Sequence, residues 1–472
     1  MTKNSDRTSR APSSRARLDA DLVIARLKRL QALEIQSARL IGGWIPGVAR
    51  WETKHQMARH AWDDACASKE LRTRLWELRI SNPDRDLGPD IGVIMRGLAS
   101  AQADYEFLTS LYLIFKAQVI GAYEHIASHT SEVLDAPTIT ILRRLLPEKK
   151  AQLEWAQQEI PSLVDSGEKH GRVTRWEIYV RELLAVVGGV LGDAGPPMGN
   201  TPITLPPGYG TLQLPFAQAK RDSRFTVNLR GMALPEEDDV AGQVLYQFFN
   251  YTQEMQAVET LGSLLWETDG MEWEFYYDLA RHCYDEERHS AMGEMRLKEL
   301  GHDVAEFPHT VANYGWRQLV DPLRRYCVLT HVIETDSFKY KHKTYQQHLA
   351  RGDMESAESV LWDIMDETLH VLSARNGCRC SCNTTTIPAA SKPWSPSAGR
   401  SSWKTPSTHS KRGTRSPKKP DQASTTPLGF QHIPALRAAP LQKGFSVALA
   451  WIPFSRGVPV RVGGVASLDI SP

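Results

Sequence analysis

Apolar positions recur every three to four residues from about Leu18 to about Arg375, and strict apolar/polar alternation is nearly absent. That spacing gathers apolar side chains on one face of a helix, so the pattern predicts helices rather than strands. In the first half it runs through LVIARLKRLQALEIQSARLI, LRTRLWELRI and FLTSLYLIFKAQVIGAYEHI. DAPTITILRRLLPEKKAQLEWAQQEI adds Asp135 and Thr138 near a helix start, with Pro147 as its one expected interruption. RWEIYVRELLAVVGGVLG closes a helical domain expected over 18–194, behind a disordered arm at 1–17. The texture then changes. GPPMGNTPITLPPGYGTLQLP lies in a stretch, 195–235, too rich in Pro and Gly for helix, and reads as a linker, with an ordered wrap over a domain open to it. Four long helical segments follow at about 236–266, 271–300, 311–349 and 353–375. Thr268–Gly270 and Arg351–Asp353 supply the short turns of antiparallel neighbours, so 236–376 is expected to be an all-α four-helix bundle.

Composition narrows the function classes. The chain has 472 residues, 41% hydrophobic and 24% charged, with a formal net charge of +1, enough to bury a core and too balanced to coat nucleic acid. Nucleic acid is therefore not indicated as a partner. The longest apolar run, LLAVVGGVLG, is about half the length of a membrane span, and the basic, Ser-rich N-terminus lacks the apolar core of a secretory signal. The expectation is a cytoplasmic protein without a membrane partner. Cys66, Cys283 and Cys327 stand singly in helical patterns and read as small buried thiols.

One charged cluster occurs twice. CYDEERHSAM and IMDETLHVLS both contain Asp-Glu-x-x-His, on separate predicted helices far apart in the chain. Glu and His three apart share a helix face. A single copy carries little information, because helical surfaces are rich in Glu. Two copies gain weight if the remaining two helices each offer a carboxylate at the same level. Glu286 follows the turn at Gly270, and Glu254 precedes that turn at the same distance along the chain. Glu367 follows the turn at Gly352, and Glu334 precedes it at a slightly longer distance. Glu259 competes with Glu254 but sits about 7.5 Å off level at helical rise, and both stay open. Each half of the bundle then reads Glu…Glu-x-x-His, and the interval from Glu254 to Glu286 nearly equals that from Glu334 to Glu367. Glu254, Glu286, His289, Glu334, Glu367 and His370 are thus the candidate ligands of two metal ions. Carboxylate and imidazole without thiolate suit Fe, with Mn as the alternative, over Zn. Asp285 and Asp366 are expected to take the outer ring N–H of the opposite helix's histidine, Asp285 to His370 and Asp366 to His289.

TQEMQAVETL, YDEERHSAMGEMRLKELG, HVIETDSFKYK and MDETLHV resemble the ferritin-like di-iron carboxylate superfamily. Within it they most resemble a bacterial ferritin-like family distantly similar to the tRNA-modifying di-iron hydroxylase. The resemblance covers about 236–375, and more weakly the first half, where RHAWDDACASKELRTRLWELR and DAPTITILRRLLPEKKAQLEW look like a companion helical domain. Glu124 and Glu148 fall there where a second ligand set could lie, but Ala151 stands where a His is needed, so that domain is expected to hold no metal. The resemblance implies a ferritin-like bundle with two irons and an O2- or peroxide-dependent oxidase or hydroxylase. Its substrate is undefined, whether small molecule or macromolecule, an oxygenase would need an electron donor, and no catalytic residue is singled out. An iron-binding or storage protein without an organic substrate is the alternative.

The final stretch, 377–472, is polar and Pro/Ser-rich with no periodicity. With suitable codons, the segment from Asn376 to Arg400 re-reads in another frame as WLPLLMQHYNDP and then RSLEALVAECRE, which have helical periodicity. This predicts that the chain after about Arg375 is an aberrant, frameshifted tail whose product could be inactive. The Cys378, Cys380 and Cys382 cluster would then be accidental rather than a thiolate site.

Overall fold

A computed structural model describes residues 18–85, 87, 90–193, 204–210 and 214–384, with side chains as far as 374. The arm at 1–17, the tail beyond 384 and the side chains of Cys378, Cys380 and Cys382 lie outside the described residues. Every regular element among those described is helical, and extended pairing is limited to one bridge between Val227 and His309. None of these helices is long and apolar enough to cross a membrane.

In the first half, α1 (Ala20–Trp44) starts at Asp19, whose carboxylate accepts the Leu22 N–H at 2.8 Å and satisfies an otherwise orphaned donor. It is followed by α2 (Trp51–Glu77) and α3 (Asp90–Ala99). Next, α4 (Asp104–Leu108) runs through a π-helical segment, Thr109–Lys116, into α5 (Ala117–His129). Then come α6 (Ala136–Leu163) and α7 (Gly167–Val186). Helix α6 continues through Pro147 and Pro161. Pro147 lies on its exposed side, where water can take the carbonyl deprived of a partner.

The second half contains α8 (Val240–Thr252), α9 (Met255–Glu267), α10 (Trp273–Glu299), α11 (Ala312–Arg317) and α12 (Pro322–Cys327). A second π-helical segment, Val328–Glu334, leads into α13 (Thr335–Arg351), and α14 (Met354–Thr384) ends the described chain. Three expected segments differ in detail. The first breaks at Gln253–Glu254, where short-range bonds (Glu254 N–H to Tyr251 C=O 3.0 Å, Ala257 N–H to Glu254 C=O 2.7 Å) tighten the turn. The third is divided before α12, because Pro322 lacks an N–H and is favourable only in a first turn, which Asp321 caps. The fourth does not stop near Arg375 but continues to Thr384. The expected α13–α14 turn is present, with Gly352 at φ 74°, a left-handed conformation that glycine adopts without strain.

The halves expected as separate domains share one hydrophobic core reaching from Val23 to Ala374 and belong to one compact unit. Their contact is close. A Cβ added to Gly262 of α9 would stand 2.6 Å from the Gly42 carbonyl oxygen of α1. Arg39 of α1 donates to the carbonyls of Leu265 (2.8 Å) and Thr268 (2.6 Å), which the end of α9 leaves unbonded. The linker wraps rather than dangles. Tyr209 stacks on Trp176 at 5.2 Å, Phe216 meets Trp44 edge-on at 5.1 Å, and the Lys220 N–H donates to Pro46 at 2.8 Å.

Candidate metal centre

Helix α10 sets His282, Glu286 and His289 at i, i+4 and i+7, one continuous face. Glu334 arrives at the end of the second π-helical segment, a widened turn of the kind that often serves functional sites. Helix α14 brings Asp363, Glu367 and His370. Two groups of potential ligands result: His282, Glu286, Glu334 and His370, and then Glu286, His289 and Glu367. Within each group the candidate atoms lie within 4.8 Å of one another, and Glu286 belongs to both. None of these six residues is more than 4% exposed.

The separations suit a coordination shell. His282 Nε2 is 3.2 Å from Glu286 Oε1 and 3.1 Å from Glu334 Oε1. His370 Nδ1 is 3.6 Å from Glu286 Oε1 and 4.0 Å from Glu334 Oε2. His289 Nδ1 is 3.5 Å from Glu286 Oε2. Metal bonds of about 2.1 Å give ligand–ligand edges of about 3.0 to 3.4 Å, and longer across the metal. Seven atoms make no hydrogen bond: His282 Nδ1, Glu286 Oε2, His289 Nδ1, both oxygens of Glu334, Glu367 Oε2 and His370 Nδ1. A buried polar atom left without a partner costs about 1–3 kcal/mol, and more if charged, so a cation or water held there would be stabilising.

The two aspartates make crossed contacts with the histidines. Asp285 Oδ2 meets His370 Nε2 at 3.2 Å and Asp366 Oδ2 meets His289 Nε2 at 3.3 Å, each across to the other helix. Arg281 donates to Asp285 (2.8 Å), and Arg288 donates to both Asp285 (2.7 Å) and Asp366 (3.0 Å). Burial works against ionisation of Asp285, but His370 and Arg281 outweigh it and hold its carboxyl down at about 2. Burial also opposes the charge on His282, yet Glu334 and Glu286 raise its imidazole to about 10. Burial pushes Glu367 well above the usual carboxylate range despite Lys341.

Five of the six expected ligands therefore come together. The sixth, Glu254, sits half-buried at the α8–α9 break, outside both groups but near enough that burial and then Glu286 push its carboxyl up to about 7. Its competitor Glu259 is engaged elsewhere: Lys54 and Arg221 both bond its carboxylate. His282 was not anticipated, although it precedes Glu286 by one helical turn on the same face. Lys341 was not anticipated either. Its ammonium donates to Asp363 Oδ1 (2.7 Å) and Glu367 Oε1 (2.8 Å), while the Tyr251 hydroxyl donates to Asp363 Oδ2 (2.8 Å).

In the first half, Glu124 pairs with Lys150 at the surface at 2.6 Å, and Glu148 is exposed, its carboxyl raised to about 7 by partial burial and Asp63. The buried charges there are others. Lys149 donates to Glu34 (2.6 Å) and Asp64 (2.6 Å), Lys116 donates to Asp64 (2.7 and 2.5 Å) and Gln152 (2.6 Å), and the Tyr123 hydroxyl donates to Glu34 (2.8 Å).

No family model, curated protein or solved structure matches the chain.

Proposed function

We propose that the chain is a ferritin-like, non-haem di-iron oxidoreductase that uses O2 or peroxide to oxidise an organic substrate. The observation that carries this reading is the convergence on a shared Glu286 of buried Glu334, Glu367, His289 and His370 atoms that make no hydrogen bond, with His282 Nε2 beside them. His282, Glu286, Glu334 and His370 would hold one ion, and Glu286, His289 and Glu367 the other, with Glu254 beside them. A donor set of nitrogen and oxygen without sulfur favours Fe, or Mn, over a soft-metal site. Such a metal supplies one-electron exchange with O2 or peroxide.

The protein's own groups do the rest. Asp285 and Asp366 accept the outer N–H of His370 and His289, which fixes each tautomer and turns Nδ1 inward as a lone-pair donor. Arg281 and Arg288 bond Asp285, and Arg288 also bonds Asp366, which holds both carboxylates in that place. Burial of all six ligands excludes bulk water from the reacting centre. Arg288, His289, Met292, Met295, Trp362 and Asp366 help line a groove of about 810 Å³ between α10 and α14. That is room for a small organic molecule next to the His289–Asp366 pair, on the outer side of one candidate ligand.

Anaerobic loading with Fe(II), followed by metal analysis and reductant-dependent O2 consumption, tests the reading. Iron retained after desalting by the natural chain and lost in Glu286→Ala, with helical content unchanged, is the expected result. Equal iron in both proteins would end the proposal, and iron far above two per chain would favour storage.

A further inference from the structure

The two positions of the cluster are built differently. One is surrounded by four candidate ligands and the other by three, of which Glu286 is shared. At the first, both oxygens of Glu334 are free of hydrogen bonds. At the second, Lys341 already holds Glu367 Oε1 at 2.8 Å, and it bonds the adjacent Asp363 at 2.7 Å. Its side chain is only 12% exposed, so water screens its charge little.

The first half shows what a lysine does in such surroundings. Its π-helical segment ends at Lys116, as the second ends at Glu334. The interval from Lys116 to Lys149 equals that from Glu334 to Glu367. Lys149-x-x-Gln152 repeats the spacing of Glu367-x-x-His370, and His60 stands one helical turn before Asp64 as His282 does before Glu286. Tyr123 follows Lys116 at i+7, as Lys341 follows Glu334. The same layout is therefore built twice, and in the first copy two ammonium groups neutralise the carboxylates of Glu34 and Asp64.

We infer that the centre is graded: the position formed by His282, Glu286, Glu334 and His370 binds a divalent ion first, while Lys341 supplies positive charge at the second position and keeps its affinity low. The inference rests on reading the cluster as a metal centre. Lys341 acts by repelling the incoming cation and by competing for Glu367, whereas the group facing Glu334 at the first position is the His282 imidazole at 3.1 Å, itself a candidate ligand.

Calorimetric titration of the full metal-free chain with Co(II), read in parallel by visible absorption, separates the two steps. The expected result is one ion per chain in a tight step, with any second step at least tenfold weaker. In Lys341→Met the second step should tighten at least tenfold while the first changes less than threefold. Lys341→Gln, which keeps a hydrogen-bond donor without the charge, should move in the same direction and guards against misfolding of the methionine variant. Two equal tight ions in the natural chain would overturn the graded centre and leave the proposed function standing. A second step that stays put, or weakens, in both variants would also overturn it. No Co(II) binding at all would remove both the inference and the reading beneath it.

Discussion

Replacing Asp64 by Asn should be among the most damaging isosteric changes in the first half. Asp64 is fully buried, and its two oxygens accept three ammonium contacts from Lys116 and Lys149 and one from the Ser37 hydroxyl at 2.7 Å. Asn preserves the shape but removes the negative charge and points an N–H2 at donors. Lys149 would then keep only Glu34 as a bonded carboxylate, and Lys116 would keep none, bonded to Gln152 alone. Breaking a buried ion pair from one side typically costs about 3–5 kcal/mol, because the remaining charge is left uncompensated. Against a total stability of about 5–15 kcal/mol, that is a large fraction. Urea denaturation followed by far-UV circular dichroism measures it. A second variant, Asp64→Leu with Lys116→Met, removes charge from both sides and should recover part of the loss. The pH dependence has a definite sign. Burial opposes ionisation of Asp64, but Lys116 and Lys149 overcome it and hold the carboxyl well below its ordinary value of 3.8. Its stabilisation is therefore complete above about pH 4 and is lost as the pH falls below, a loss the Asn variant should lack. A cost under about 1 kcal/mol at neutral pH would refute the reasoning, since it would mean that the lysines reach water or shed their protons.

The α1–α9 crossing predicts that Gly262→Ala destabilises the chain by about 1–3 kcal/mol, because the new methyl meets backbone that cannot rotate away; thermal denaturation unchanged within error would contradict this. His309 predicts a second acid sensitivity. It is 1% exposed, stacked on Phe225 at 3.9 Å, and burial lowers its imidazole to about 4. A group lowered on folding contributes stability that is present above its unfolded value, about 6.5, and lost as the pH falls towards 4, here on the order of 3 kcal/mol. His309→Gln should flatten the stability profile between those limits, and an unchanged slope would show that His309 does not titrate there.

What could be read from the sequence follows from where the information is local. The helical period is repeated by every turn, so the all-α character and most helix positions were legible. Glu286, His289, Glu367 and His370 were legible because three-residue spacing on a helix fixes a shared face whatever the tertiary fold. Glu334 needed the additional assumption of level antiparallel neighbours, and the π-helical turn just before it does not spoil that level. The same assumption placed Glu254, but the tight turn at Gln253–Glu254 breaks the helix there and leaves it beside the groups rather than in them. His282 was missed for a different reason. It lies on the readable face of α10, but only one copy of Asp-Glu-x-x-His has a histidine one turn before its Glu, so a search for repetition passes over it. Lys341 and the Glu34–Asp64–Lys116–Lys149 network depend on which faces of distant helices meet, and no local spacing encodes that. The shared core was hidden as well, since glycines at 42 and 262 read as ordinary helix residues until α1 and α9 are set against each other.

The contrast between the two halves bears on where chemistry can occur. Both bury carboxylates at the centre of four long helical stretches, and an uncompensated carboxylate there would be too costly to keep. In the first half the compensation is covalently attached: Lys116 and Lys149 are always present, each bonded to Asp64. Such a network can rigidify the fold, but it leaves no coordination position that a ligand could enter or leave. In the second half, Lys341 covers part of the negative charge, and the unpaired atoms of Glu286, Glu334, His289 and His370 remain. The His282 imidazole, raised to about 10 against its burial by Glu334 and Glu286, covers more of that charge. On the proposed reading a bound ion would supply the rest and could exchange electrons and ligands where an ammonium cannot. On that reading, turnover would be sought in the second half, with the first half serving as the packed wall against which α9 and α10 hold their register.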